Sequence, residues 1–250
     1  LEWINENIRF NHGPLCEVYP HEGMGCTGVC EGDSPAFMYL VSANRGINDP
    51  EDPTQPSWGG QYVQKENTNH YVDGPGKSSI SRWREDYQKE FQERADRCIK
   101  PKTEINSTKP RVINTTDLGA DPDDKQSMVR QLVCANDFDI EGLIVSTGCW
   151  RKNQSNTDML DEIVDAYGEV YSNLAVQAKG FPSYEYLKSI SVMGQTGYGM
   201  SDVGTDKDSP GSELIIASVD KDDPRPVWVM GWGGMNTIAQ AILKVRETRS

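Results

Sequence analysis

From residue 109 onward, short runs of β-branched residues alternate with stretches in which apolar positions recur every three to four residues. This is the pattern of βαβ units, and it predicts a parallel sheet. Strands are expected at 111–116 (RVINTT), 140–146 (IEGLIVS), 174–178 (LAVQA) and 226–230 (PVWVM), with helices at 123–136, 157–171, 212–219 and 235–249. In the first of these helices Met128, Leu132 and Val133 share a face that packs on the sheet. Lys125 and Arg130 face outward, and Asp123 and Asp124 stand in the first turn.

The first hundred residues lack this rhythm. They hold a short amphipathic helix at 3–8, an apolar run at 36–43, a loop rich in Gly, Pro and Asn, and a charged helix at 84–99. So long a stretch without a sheet of its own is expected to pack on the neighbouring core, not to stand alone. The division is therefore 1–100, a polar linker with proline at 101–110, and an α/β core at 111–250. The fold class is α/β, an open, mostly parallel sheet with helices on both faces.

Composition excludes more than it identifies. With 250 residues and 36% hydrophobic positions the chain can bury a substantial core. Its 38 acidic against 25 basic residues give a net charge of -13, which repels nucleic acid in the absence of a basic patch. No apolar run approaches the ~20 residues needed to cross a bilayer, and no charged-then-apolar leader opens the sequence. Six cysteines are too dilute for a disulfide scaffold. The glycosylation-like triplets at Asn106, Asn114 and Asn153 tilt the compartment only slightly, toward extracellular or periplasmic.

The chemical signal is the stretch Asp117-Leu-Gly-Ala-Asp-Pro-Asp-Asp124, between the carboxyl end of a predicted strand and the amino end of a predicted helix. Open α/β sheets bind their ligands at that position. Four carboxylates within eight residues repel one another, and a divalent cation would relieve the repulsion. Oxygen-only donors suit Ca²⁺ or, second, Mg²⁺. The competing reading is a helix cap at Asp121 or Asp123, with the other acids solvated.

The segments RVINTTDLGADPDD, IEGLIVSTG and PVWVMGWGGMNTIAQAI resemble the nucleoside hydrolase superfamily, and in particular its nucleoside-hydrolase-like members often labelled cellulose-binding. ENIRFNHGPL, EGDSPAFMYLV, GINDPEDP and WGGQYV resemble the same family, but there they follow the sheet region, and here they precede it. The order is therefore permuted and the family's middle is missing, as in a circular permutant, a junction between tandem repeats, or an assembled chain. The resemblance implies metal ligation by Asp117, Asp121, Asp124, Asp33 and the carbonyl of Met235. Asp117 and Asp121 become the catalytic candidates. Asp123, Asn153, Asn156, Asn236 and Trp58 become the candidate substrate contacts. Gly119 stands where the superfamily has a metal-touching Asp, Gly32 where it has a histidine that assists the leaving group, and Cys149 where it has a sugar-contacting Asn.

The implied reaction is hydrolysis of a glycosidic, N-ribosidic-like bond by water activated through Ca²⁺ and an aspartate. Glu31, Asp202 and Tyr198 are the candidates for the acid. The alternative is a non-catalytic carbohydrate-binding protein using Trp58, the Tyr62 and Tyr71 loops and Trp83 as stacking surfaces. In either case the partner is a small glycoside or a polysaccharide, with a homo-oligomer suggested by analogy. Two weaker signals remain. The set His12, Cys16, His21, Cys26 and Cys30 could hold zinc, although a Cys26–Cys30 disulfide or free thiols suit its spacing better. The Gly231–Gly234 run lacks the phosphate-loop ending and is expected to let a turn approach the metal closely.

Overall fold

The structure is a computed structural model that describes residues 1–20, 22–23, 26–27, 29–98 and 109–249. The linker positions 101–108 and residue His21 lie outside the described residues, as do the side chain of Cys26 and Ile99, the last residue of the predicted 84–99 helix.

Four parallel strands form the central sheet: β1 (Arg111–Thr116), β2 (Asp139–Val145), β3 (Ser191–Met193) and β4 (Val227–Gly231), in the spatial order β3-β2-β1-β4. Seven principal helices surround it: α1 (Ser34–Ala43), α2 (Arg84–Asp96), α3 (Asp123–Val133), α4 (Asp158–Gln177), α5 (Tyr184–Ser189), α6 (Pro210–Val219) and α7 (Asn236–Thr248). Alternation along the strands splits the core. Val112, Leu143 and Val145 join the large cluster with Met128, Leu132, Ile163 and Tyr167, whereas Ile113 and Ile144 point to the opposite face and meet Ile215 and Ala241. Helices therefore cover both faces, as a parallel sheet requires.

Two sequence expectations are corrected. The 174–178 run is not a strand but the last turn of α4, which continues to Gln177. Leu174 is fully buried while Val176 is 74% exposed, and Gln177 is buried again. The strand that follows is instead Ser191–Met193, too short for its period to show, and it borders β2. Arg130 does not face outward either. It is 2% exposed, lies over the Phe91 ring at 3.8 Å and pairs with Glu31 at 2.5 Å. The segment before the sheet covers that side of α3, and a cation there has to be paired.

Residues 1–98 pack on the face formed by α3 and α4. The short helix Pro14–Glu17 runs against α4, and both α1 and α2 contact α3. Polar contacts fix the junction. Ser34 Oγ donates to Ser127 Oγ at 3.1 Å, and Gln126 accepts from the Cys30 amide and donates to the Pro20 carbonyl. Arg94, wholly buried, donates to Glu90 at 2.7 Å, Asn136 at 3.0 Å and Asp137 at 2.6 Å. Arg94→Ala leaves those carboxylates with Arg45 as their one remaining close ion pair among the described residues, so urea denaturation should show a loss of about 3 kcal/mol, in the range for breaking a buried pair. A loss below about 0.5 kcal/mol would show that Arg45 replaces it.

The described members of the zinc set do not converge. His12 has both ring nitrogens engaged, with the Phe10 carbonyl at 2.7 Å and Asp96 at 3.1 Å. Cys30 is disulfide-bonded, and the Cys16 thiol faces Cys98. Among the described residues these three point at different partners and share no centre. Asn114 is buried inside β1 with its amide donating to Gln131, so its triplet is no glycan acceptor in the folded chain.

Candidate metal centre at the sheet's carboxyl end

The chain steps outward from β1 to β2 to β3, then returns to place β4 on the other side of β1. The switch point lies between β1 and β4, where side chains leaving the carboxyl ends are not covered by a crossover. The register keeps these ends level: Thr116 pairs with Val145, and Thr115 with Gly231. Asp117 emerges at the centre, flanked by Gly148 and Gly233. A Cβ on Gly148 would lie 1.6 Å from Asp117 Oδ2, and one on Gly233 would lie 2.6 Å from Oδ1. Glycine at both positions lets two backbones close on one carboxylate. The Gly-rich run thus approaches an acid, with the Trp232 amide donating to the Thr115 carbonyl and the Gly234 amide to the Thr147 carbonyl.

α3 begins directly after the turn and places Asp123 and Asp124 in its first turn, where the helix amino end favours negative charge. Thr116 Oγ1 donates to Asp124 Oδ1, and Asp123 Oδ1 accepts the Asp124 amide. The fourth acid comes from far away in sequence. Asp33, just before α1, brings a carboxylate oxygen within 4.8 Å of oxygens from Asp123 and Asp124. Its approach depends on Gly32, where a Cβ would meet Asp123 Oδ2 at 2.5 Å. A histidine at position 32 would displace Asp123.

The cluster is electrostatically costly as it stands. Burial, and then the charges of Asp117 and Asp121, lift Asp33 from the ordinary carboxylate range to about 7. Burial, with Asp33 the nearest charge, lifts Asp124 to about 8. Asp117 and Asp121 are raised as well, both chiefly by burial. Asp33 Oδ2 and Asp121 Oδ1 are buried without a hydrogen-bond partner. Converging oxygen donors, orphaned buried oxygens and suppressed ionisation fit a hard divalent cation.

Not every expected site residue joins them. Asn236 is 4% exposed and donates its amide to the Gly197 carbonyl at 2.6 Å and to Thr147 at 3.3 Å, so it ties loops together and has no hydrogen left for a substrate. The Met235 carbonyl accepts the Ala239 amide at 2.8 Å as the first bond of α7. Asn153 forms a backbone bridge with Gly197, and its side chain and that of Asn156 are exposed. Cys149 is also exposed. Trp58 is 5% exposed, packs with the core and lines a cleft of about 480 Å³ together with Trp3, Glu31, Tyr87 and Arg130, so it offers no open stacking face. The acid candidates are also engaged: Glu31 by Tyr19 and Arg130, and Asp202 by the Gly197 amide and Lys207. Tyr198 is 39% exposed.

Two residues at the site carry no motif. Arg151 Nη1 and Gln154 Nε2 both donate to the Leu118 carbonyl, at 3.2 and 3.1 Å, and clamp the turn that carries Asp117 and Asp121. Arg151 fits because Gly119 is glycine. At φ +95° it sits in the left-handed region, and a Cβ there would lie 2.1 Å from the guanidinium. The one available hint was the position of the RKNQ segment, just beyond the carboxyl end of β2.

The family profile described as "Cellulose-binding Sde182, nucleoside hydrolase-like domain" matches residues 1–62 and 111–250. The chain belongs to this family. The nucleoside hydrolase-like domain is split across those two segments, which are the segments that supply Asp33 and Asp117–Asp124. Among solved structures, the chain is similar to a nucleoside hydrolase-related hypothetical protein from Saccharophagus degradans that is associated with carbohydrate metabolism, with 64% identity and a TM-score of 0.57. The match covers 57% of this chain and 35% of that one, so the chain spans about a third of the relative's length. No curated protein matches the chain. Among the described residues, no helix is long and apolar enough to cross a membrane.

Proposed function

We propose that the carboxylates at the carboxyl end of β1 hold a divalent cation, Ca²⁺ ahead of Mg²⁺, and that this nucleoside hydrolase-like domain hydrolyses a glycosidic bond there. The observation that carries the reading is the meeting of Asp33 with Asp123 and Asp124, since acids 90 residues apart in sequence converge at a cost that a divalent cation would repay. Asp33, Asp117, Asp123 and Asp124 would hold the ion, which would supply the charge that acidifies an attacking water and grips sugar hydroxyls. Asp121, lifted by burial above a solvated carboxylate, is the base that takes the water's proton. The Arg151 and Gln154 clamp keeps Asp121 and Asp117 in one turn.

Among the described candidates for the leaving side, Glu31 and Asp202 are bound elsewhere and Gly32 carries no side chain, which leaves only the exposed Tyr198 hydroxyl and no carboxyl or imidazole donor. The leaving group then departs with little help from a proton donor. Activity should therefore fall steeply as the leaving-group pKa rises, with 4-nitrophenyl glycosides cleaved well and unactivated glycosides at least ~100-fold more slowly, the usual contribution of a general acid. A flat dependence across an aryl glycoside series would reveal a proton donor.

The family's cellulose-binding description, together with this missing acid, favours a second reading in which the domain binds carbohydrate without cleaving it. One comparison separates them. Hydrolysis of 4-nitrophenyl ribosides and glucosides should stop on chelation and return with Ca²⁺. Retention on cellulose that persists through chelation, with no turnover under any metal, assigns the domain to binding alone.

A further inference from the structure

The interior of the first segment holds a pair of thiols that the metal centre does not use. Cys16, on the helix Pro14–Glu17, and Cys98, just beyond α2, are both fully buried, and their sulfurs lie 3.9 Å apart. Both backbones are held in place. The Cys16 amide donates to the Gly13 carbonyl at 3.0 Å, and the Cys98 amide to the Ala95 carbonyl at 3.0 Å. The Cys98 carbonyl accepts from Asn173 Nδ2 of α4 at 2.7 Å. Gly13, at φ +81°, brings the short helix onto α4, where a Cβ would lie 3.0 Å from Val170. The sulfurs therefore already face each other in a buried site, on backbones fixed by these hydrogen bonds. Elsewhere in the same segment Cys30 is disulfide-bonded, so the fold accommodates an oxidised cysteine.

We propose that Cys16 and Cys98 form a disulfide when the chain folds under oxidising conditions. The bond closes a loop containing α1, all of α2 and Asp33, and so ties down the segment that brings Asp33 to the sheet. Its formation with glutathione disulfide balances simply. One cysteine thiolate attacks a glutathione disulfide sulfur and expels a glutathione thiolate. The second cysteine thiolate then attacks the protein sulfur of the mixed disulfide and expels the other. Two protein S–H bonds are lost, one S–S bond forms, and the two protons and two electrons end on two glutathione thiols. The reaction belongs to folding and not to the folded state. Once buried, the Cys16 thiol is pushed well above its usual range by its hydrogen bond to Cys98 and by burial, and no oxidant reaches it.

The test is to refold the reduced chain in a glutathione redox buffer, block free thiols with N-ethylmaleimide in guanidinium, and map the digest by mass spectrometry. A Cys16–Cys98 linked peptide, with Cys134 and Cys149 labelled, is the expected result. Labelling of both Cys16 and Cys98, or linkage of either to another cysteine, overturns the proposal. The mapping uses the native chain and does not depend on any variant folding. For a loop this long the oxidised chain should also melt roughly 10 °C above an identically treated Cys16→Ser/Cys98→Ser variant, and an equal melting temperature would show that the bond does not hold the segment.

Discussion

On the proposed function, Asp33→Asn and Asp124→Asn should each abolish a Ca²⁺ response and lower hydrolysis by about a thousandfold, a loss of roughly 4 kcal/mol of transition-state stabilisation. Both substitutions also make the chelated protein more stable. Each removes a buried carboxyl whose ionisation is costly, Asp33 beside Asp117 and Asp121 and Asp124 beside Asp33, so the gain should appear above about pH 7, where the native carboxylates ionise, and the amide keeps the shape. This opposition of signs distinguishes a metal centre from a structural acidic patch. Thermal unfolding with chelator and with Ca²⁺ in excess, run on the native chain and both variants, checks it. A variant that still gains stability from Ca²⁺ would remove that residue from the centre, and one that loses activity while keeping the Ca²⁺ shift would make it a substrate contact.

The second large effect is on pH. Asp33 and Asp124 have folded pKa values raised to about 7 and about 8, far above the ~3.9 of an unfolded aspartate. The folded chain therefore holds protons that the unfolded chain releases. That stability is complete below about pH 4 and is lost as pH climbs through 7 and 8. The metal-free protein should melt at progressively lower temperature between pH 5 and pH 8.5. If Ca²⁺ binds there as proposed it would take the place of those protons, so the gap between loaded and metal-free protein should widen over the same interval, and calorimetry near pH 6.5 should show about one to two protons released per ion bound. A Ca²⁺ shift that is constant from pH 5 to 8.5 would mean that these carboxylates are not its ligands.

A Cys16–Cys98 bond would tie down the segment around Asp33, so reduced and oxidised preparations should be kept apart in both measurements.

Much of the α/β core was legible because its elements obey short periods. β1, β2 and β4 are β-branched runs bounded by turns, and α3 shows its apolar face over three turns. Prediction failed where the period was cut short or shared. The three residues of β3 are too few to alternate, and the β-branched, small end of α4 looks extended until Leu174 is seen buried and Val176 exposed. Arg130 faces outward by the pattern of its own helix, and it is the segment before the sheet that covers and pairs it. At the site, the acids of the Asp117–Asp124 turn could be seen by spacing alone. Arg151 and Gln154 could not, since they act through a single backbone oxygen and leave no pattern in the sequence.

What the sequence determined by itself was a parallel α/β core and a strand-to-helix turn crowded with carboxylates. Local spacing encodes these properties, because neighbours along a strand or a helix turn are neighbours in space. Only the tertiary structure decided that Asp33 closes on Asp123 and Asp124, that Asn236 and Trp58 are spent on packing, and that two thiols from either end of the first segment meet. Those contacts form because segments distant in the chain bury apolar surface against α3 and α4, and no periodicity records which polar atoms that burial brings face to face.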